Sequence, residues 1–224
     1  MLAFDIETTG LDPAKCVVTV VCTEDYLTGE QRAYEFARVR DETPEDVAEL
    51  CEAMARQLDA ATSLCAFNGV RFDIPFLEQA LGIPPSRALA WTLKTSDILE
   101  QSRLLHSCTF SLNMLCAANG VQVKSSSGLQ AVHMAQRREW QRLREYCADD
   151  VRILCDLYRK RTLVNPRTQA TLNLADMAHP ALYAPGGPEG ARGGVAEALG
   201  GVAEALGELQ RTVAKLARAL SEPA

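Results

Sequence analysis

Apolar side chains at Leu2, Phe4 and Ile6 alternate with Ala3, Asp5 and Glu7, a two-residue period that predicts an opening strand. A valine-rich run at 16–23 and a third segment at 32–37 predict two more strands, with turns at Asp12-Pro13 and Thr28-Gly29. Thr43-Pro44-Glu45-Asp46 has the form of a helix start, Thr43 as N-cap and Pro44 at the first position. Val47, Leu50, Met54 and Leu58 then recur at three- and four-residue steps. Residues 63–67 read as a short apolar strand ending at Asn68-Gly69, and a helical pattern runs from Ile74 to Leu81 before Gly82-Ile83-Pro84-Pro85 stops it. From 96 to 161 the pattern is mostly helical, broken at Ser107-Cys108, Asn119-Gly120 and 125–128. Three strands, a helix, a strand and then helices is an α/β order.

Beyond Arg161 the periodicity fades, and the prolines and glycines of 162–193 predict a linker. The segment 194–222 opens with a tandem repeat, Gly194 to Gly200 and Gly201 to Gly207. Val195, Leu199, Val202, Leu206, Leu209, Val213, Leu216 and Leu220 alternate four- and three-residue steps, a heptad seam. Against it stand Gly200, Gly201 and Gly207, each costing about 1 kcal/mol relative to alanine in a helix. Self-association through a coiled coil, docking on another surface and a frayed tail all remain open for this segment.

Composition narrows the setting. With 47% hydrophobic and 23% charged residues the chain can bury a core. It holds no apolar run of about 18 residues, so no membrane helix is expected, and no signal peptide is expected ahead of the first strand. The eight cysteines form no C-x-x-C pair and read as buried free thiols of an intracellular, reducing compartment. The net charge of −6 disfavours coating long duplex nucleic acid. The arginines of 137–161 are compatible with a phosphate track or with a mixed, solvated helix face.

Three stretches carry candidate chemistry: Phe4-Asp5-Ile6-Glu7-Thr8-Thr9-Gly10, Asn68-Gly69-Val70-Arg71-Phe72-Asp73 and Tyr146-Cys147-Ala148-Asp149-Asp150. Each sets a carboxylate at the edge of an apolar element, where it is costly unless it meets positive charge. Asp5 and Glu7 leave one face of a strand, about 6 to 7 Å apart at the backbone, within reach of a pair of metals about 4 Å apart. Asp73 opens a helix, where it could equally serve as an N-cap. Tyr146 and Asp150 lie one helical turn apart on a face that Ile153 and Leu157 continue inward. Asp149 is the competing acid of that doublet. His106, His133 and His179 match no ligand spacing.

In order and spacing these motifs resemble the DEDD exonucleases of the RNase H-like (DnaQ-like) superfamily, in the subgroup with tyrosine in the third motif. The resemblance covers residues 1–161. Thr95-Ser96-Asp97-Ile98-Leu99 and Phe110-Ser111-Leu112-Asn113-Met114-Leu115 are similar to the exonuclease domains of family B DNA polymerases and their free-standing relatives. It implies an RNase H-like mixed sheet flanked by helices and a 3′–5′ exonuclease releasing nucleoside 5′-monophosphates. It further implies two divalent ions, Mg²⁺ or Mn²⁺, on Asp5, Glu7, Asp73 and Asp150, with Tyr146 completing the catalytic set. The substrate implied is a single-stranded or frayed 3′ end, DNA ahead of RNA. Contacts to it are expected from Thr8, Thr9, Gly10, Leu11, Asn68, Phe72 and Lys124, although a solvated loop lysine is as natural a reading of the last. An exoribonuclease of the same fold and a non-catalytic, oligomeric nucleic-acid-binding scaffold are the alternatives.

Overall fold

The computed structural model describes residues 1–39, 43–122 and 128–174, all within the unit Met1–His179. Lys124, the heptad segment 194–222 and positions 175–193 lie outside the described residues. A five-stranded mixed sheet forms the centre: β1 (Leu2–Thr8), β2 (Val18–Asp25), β3 (Gln31–Tyr34), β4 (Leu64–Ala66) and β5 (Thr95–Asp97), in the order β3-β2-β1-β4-β5. β1 runs antiparallel to β2 and parallel to β4, and β5 is parallel to β4. The expected α/β architecture, a mixed sheet with flanking helices, is present.

The two-residue period of β1 decides which side chain meets which layer. Leu2, Phe4 and Ile6 join one core with α2 (Pro44–Ala60), α3 (Asp73–Leu81) and α4 (Pro85–Leu93). Ala3 joins the opposite core, built from α5 (Ile98–His106), α6 (Leu112–Ala118), α7 (Gly128–Gln136) and α8 (Trp140–Arg159). Asp5 and Glu7 share the face of Ala3 and so point to the α8 side. At the end of β1 the register slips: Glu7 pairs with Val20 but Thr8 with Val18, leaving Thr19 as an extra residue. Its hydroxyl donates to the Glu7 carbonyl at 2.8 Å. Such a bulge bends and twists the strand end that carries the acids.

The helix starts follow local chemistry. Thr43 and Asp46 form a reciprocal capping box at α2, and Gly82, at φ 68°, closes α3 in the left-handed conformation. At the other end of α2, the buried Lys94 donates to the carbonyls of Leu58, Asp59 and Ala61 at 2.7–2.9 Å, satisfying the last turn. None of the helices described is long and apolar enough to cross a membrane.

Several elements depart from the expectation. The third strand ends at Tyr34, and Phe36–Val39 forms a short helix, α1. The prolines after Gly82 do end α3, but Pro85 also begins α4, with Pro84 at its N-cap position. Residues 95–97, partly assigned to a helical stretch, form β5, because pairing with β4 overrides a polar three-residue pattern. The largest correction concerns the linker expected from 162. Residues 162–173 form a hairpin of β6 (Thr162–Val164) and β7 (Thr171–Asn173), closed by the Asn165 N–H donating to the Ala170 carbonyl at 2.8 Å. Leu163, Leu172 and Leu174 are buried in the α8-side core. Asn119 fastens the hairpin, giving Nδ2 to the Val164 carbonyl and taking the Val164 N–H.

Because the hairpin is part of the core, Leu172→Ala should destabilise the protein by about 2–5 kcal/mol in urea denaturation. A residue in an exposed linker would change it by no more than about 0.5 kcal/mol.

Candidate active site

The acids meet because β1 outruns its parallel neighbour. Pairing with β4 is limited to Leu2 with Leu64 and Ala3 with Cys65, so the far half of β1 has one edge without a strand partner. There the Asp73 carboxylate takes the Ile6 N–H at 3.1 Å. The N-cap role that is the alternative for Asp73 does not form: α3 starts at Asp73 itself, and Phe72 holds the cap position without a side-chain bond. From the other side α8 packs across β1 and β2. Asp5, Glu7, Asp73, Tyr146 and Asp150 thereby line one cavity of about 350 Å³, with Asn68 and Phe72 also in its wall. Of the acidic doublet on α8, Asp150 faces this cavity, whereas the half-exposed Asp149 accepts from Arg152 at 2.7 Å.

The loop between β4 and α3 is held from beneath by Asp97. Its buried carboxylate accepts the N–H groups of Asn68 (2.9 Å), Val70 (3.0 Å), Leu99 (3.0 Å) and Glu100 (3.1 Å), capping α5 and fixing the loop together. Within that loop a Cβ on Gly69 would sit 2.5 Å from the Ala66 Cβ and 3.7 Å from an Asp73 oxygen, so only glycine fits under Asp73. Asn68 adopts φ 70°, and its Oδ1 accepts from Arg103 at 2.7 Å. Arg103 is in turn paired with Glu100 at 2.9 Å, and Glu100 also grips Arg71. A guanidinium only donates, so the Asn68 amide oxygen must face it, leaving the NH₂ donors for the cavity side.

The carboxylates shape each other's chemistry. Burial, and next the charge of Asp97, push Asp73 up to about 7, against the lowering effect of the Ile6 N–H; Asp150 adds to the rise. Burial also raises the Tyr146 phenol, with Asp150, Glu7 and Asp5 adding to it in that order. The Cys116 thiol is pushed up to about 11 by burial and by Asp150. Cys147, fully buried behind the strand, donates to the Asp5 carbonyl at 3.4 Å and to its Oδ2 at 3.7 Å. One ligand atom each from Asp5, Glu7 and Cys147 lies within 4.8 Å of the others. The hard carboxylate oxygens of Asp5 and Glu7 in this group, with Asp73 and Asp150 lining the same cavity, suit oxygen-preferring divalent cations, whose charge would favour the ionised form of Asp73.

Not every candidate reaches the cavity wall. The Thr8 hydroxyl donates to the Gly10 carbonyl at 2.6 Å, and the Thr9 hydroxyl accepts the Val17 N–H at 3.0 Å, so both brace the β1–β2 turn. A Cβ on Gly10 would lie 2.7 Å from the Cys16 sulfur. Leu11 is 77% exposed. Conversely, Phe67, Gly69, Asp97, Arg103 and Cys147 shape the site without having been assigned a role in it. Two of them carried a local signal, Gly69 in the turn that ends the 63–67 strand and Asp97 as an N-cap type residue ahead of Ile98-Leu99-Glu100.

A family model described as the RNase H superfamily matches residues 2–162. No curated protein matches the chain. Among solved structures, a family B DNA polymerase from the hyperthermophilic archaeon Pyrobaculum calidifontis is similar at TM-score 0.51 and 19% identity. The match covers 71% of this chain and 24% of the polymerase chain, so the likeness is one of fold over about a quarter of that protein. A structure described as the apo form of a nuclease gives TM-score 0.44 at 22% identity, over 71% of this chain and 70% of the other. Exonuclease I of E. coli, in complex with a dA16 oligonucleotide, gives 0.41 at 17%, over 65% and 42%.

With its pKa raised from 3.8 to about 7, Asp73 holds a proton in the folded, metal-free protein that the unfolded chain has lost. The stability linked to it is full below about pH 4 and is lost as pH rises through about 7. Asp73→Asn keeps an oxygen for the Ile6 N–H and removes the charge. In chelator-treated protein it should be more stable than wild type above about pH 8, on the order of 1–3 kcal/mol. Urea denaturation across pH should show the gap closing below about pH 4.

Proposed function

The chain belongs to the RNase H superfamily, and from that premise we propose that it is a metal-dependent 3′–5′ exonuclease acting on single-stranded or frayed DNA ends. The observation that carries this reading is the convergence of Asp5, Glu7, Asp73 and Asp150, with Tyr146, on one cavity. The four carboxylates would hold two divalent ions, Mg²⁺ or Mn²⁺, which when bound supply the Lewis acidity to ionise a water and offset charge at the scissile phosphate.

The protein's own groups do the positioning. Tyr146, its phenol raised above the ordinary value of 10.0, keeps its proton at neutral pH. It therefore orients the attacking water through its hydroxyl and leaves the water's proton to another acceptor. Cys147 steadies the Asp5 carboxylate through its thiol. The Asn68 NH₂, aimed by Arg103, offers donors to oxygens of the terminal nucleotide. Phe67 and Phe72 give the cavity aromatic walls on which a terminal base can stack. Leu11, on the exposed turn after β1, and the backbone of Thr8 to Gly10 border the nucleotide.

Asp5→Ala and Asp150→Ala should each lower Mn²⁺-dependent digestion of a 5′-labelled DNA strand by more than about a hundredfold. Tyr146→Phe should lower kcat about ten- to hundredfold while Mn²⁺ affinity, read by calorimetry, stays within about twofold. Full activity of Asp150→Ala would remove α8 from the chemistry. Matched DNA and RNA strands in the same assay decide the sugar, with faster DNA digestion expected.

A further inference from the structure

A second cavity, about 320 Å³, lies where α7 turns into α8 and is lined by Gln130, His133, Met134, Arg137, Glu139 and Arg142. Its charge stands out against the rest of α8. Arg144 pairs with Glu35, Arg152 with Asp149, and Arg159 with Asp156 and Glu24. Arg142 pairs with Glu139, inside the cavity wall. Arg137 and the neighbouring Arg138 form no ion pair with another described residue, and both are exposed. The cavity wall thus holds two arginines against one acid: Arg142 is paired with Glu139, and Arg137 has no acidic partner among the described residues, with Arg138 next to it in sequence, on a chain whose net charge is −6.

Its place relative to the carboxylates follows from helix register. Arg142, Tyr146 and Asp150 succeed one another at four-residue steps on α8, each turned by about 40° from the last. They therefore climb one side of the helix, and Arg142 stands about 12 Å along the axis from Asp150. That distance matches about three to four stacked nucleotides at 3.4 Å each. A strand whose 3′ end sits among Asp5, Glu7, Asp73 and Asp150 brings further phosphates with it. Those phosphates lie beyond the reach of ions at the carboxylates and close to four acidic side chains. They need positive charge upstream, and Arg142 stands at this distance with Arg137 in the same cavity wall.

We propose that the cavity between α7 and α8 is a phosphate subsite for the nucleic-acid strand leading to the 3′ end. Arg137 is its standing cation, Arg138 adds charge from the adjoining turn, and Arg142 exchanges its contact with Glu139 for one with phosphate. His133 and Gln130 add hydrogen bonds, and Met134 provides an apolar floor for a sugar. This assignment rests on the exonuclease reading for the direction of the strand.

The test separates strand grip from chemistry. Binding of fluorescent oligothymidylates of increasing length is measured with Ca²⁺ in place of the catalytic ions, over a series of salt concentrations. Hydrolysis of the p-nitrophenyl ester of thymidine 5′-monophosphate, which has no upstream phosphate, is followed with Mn²⁺. The double variant Arg137→Ala with Arg142→Ala should lose about tenfold in affinity for the longer strands. Its slope of log affinity against log salt should fall by about one to two, and ester hydrolysis should stay unchanged. Arg32→Ala, in an ion pair on β3 at the far sheet edge, changes charge without touching the cavity and serves as the reference. Unchanged long-strand affinity, or a loss no greater per charge than that of Arg32→Ala, would overturn the subsite. Wild-type protein that cleaves neither ester nor strand, while the double variant still loses strand affinity, would instead overturn the exonuclease reading and leave the subsite standing.

Discussion

The bond from the Ile6 N–H to the Asp73 carboxylate joins the middle of β1 to the start of α3, where β4 has run out and no strand can pair. A backbone donor buried at that point costs free energy unless satisfied, and the group that satisfies it is itself an acid. The strand edge and the acid therefore solve each other's problem in part. What remains is a desolvated carboxylate, pushed up to about 7, beside Asp5 and Glu7 on the same strand. Everything else around the site serves to keep that arrangement from relaxing.

The bracing is polar and layered. Asp97 holds the loop from Asn68 to Val70 by backbone N–H groups, so the loop cannot drift without stranding a buried carboxylate. Gly69 lets the loop pass against Ala66 and Phe4. Glu100 clamps Arg103, and Arg103 fixes the Asn68 amide. On the strand side, the Thr19 bulge and the Cys147 thiol hold Glu7 and Asp5. Groups held in advance lose little freedom when a ligand arrives, which is the physical value of such a scaffold.

Charge is distributed by the same economy of local pairing. Along α8, Arg142, Arg152 and Arg159 each bond an acid three residues earlier, which makes most of the helix a mixed, solvated face. The exception is the α7–α8 turn, where Arg138 takes φ 56° and Arg137 and Arg138 are without an acidic partner among the described residues. Of the two readings open for these arginines, the mixed face describes the body of the helix and the phosphate reading survives only at its beginning.

Local chemistry was legible from the residues alone. The capping box at Thr43, the glycine stop at Gly82 and the alternation of β1 each depend on a few neighbouring positions, and each appears as expected. So does the α/β order, and Asp5 and Glu7 leave one face of β1 as its alternation implies. The spacing of Tyr146 and Asp150 put both on one helix face because a helical turn is a local constant. Tertiary structure decided the rest. β5 exists through pairing with β4, and the 162–173 hairpin, local in its own pairing, is held to the core by Asn119 and by its buried leucines; their polar or proline-marked sequences carry little periodicity of their own. Asp73 reads locally as a helix cap, yet its partner is 67 residues away. Asp97, Arg103 and Cys147 gained roles only when β4, α5 and α8 were brought to one end of β1. Periodicity records how a segment relates to itself, whereas a site is made of what separate segments bring to one another, and only the fold sets that distance.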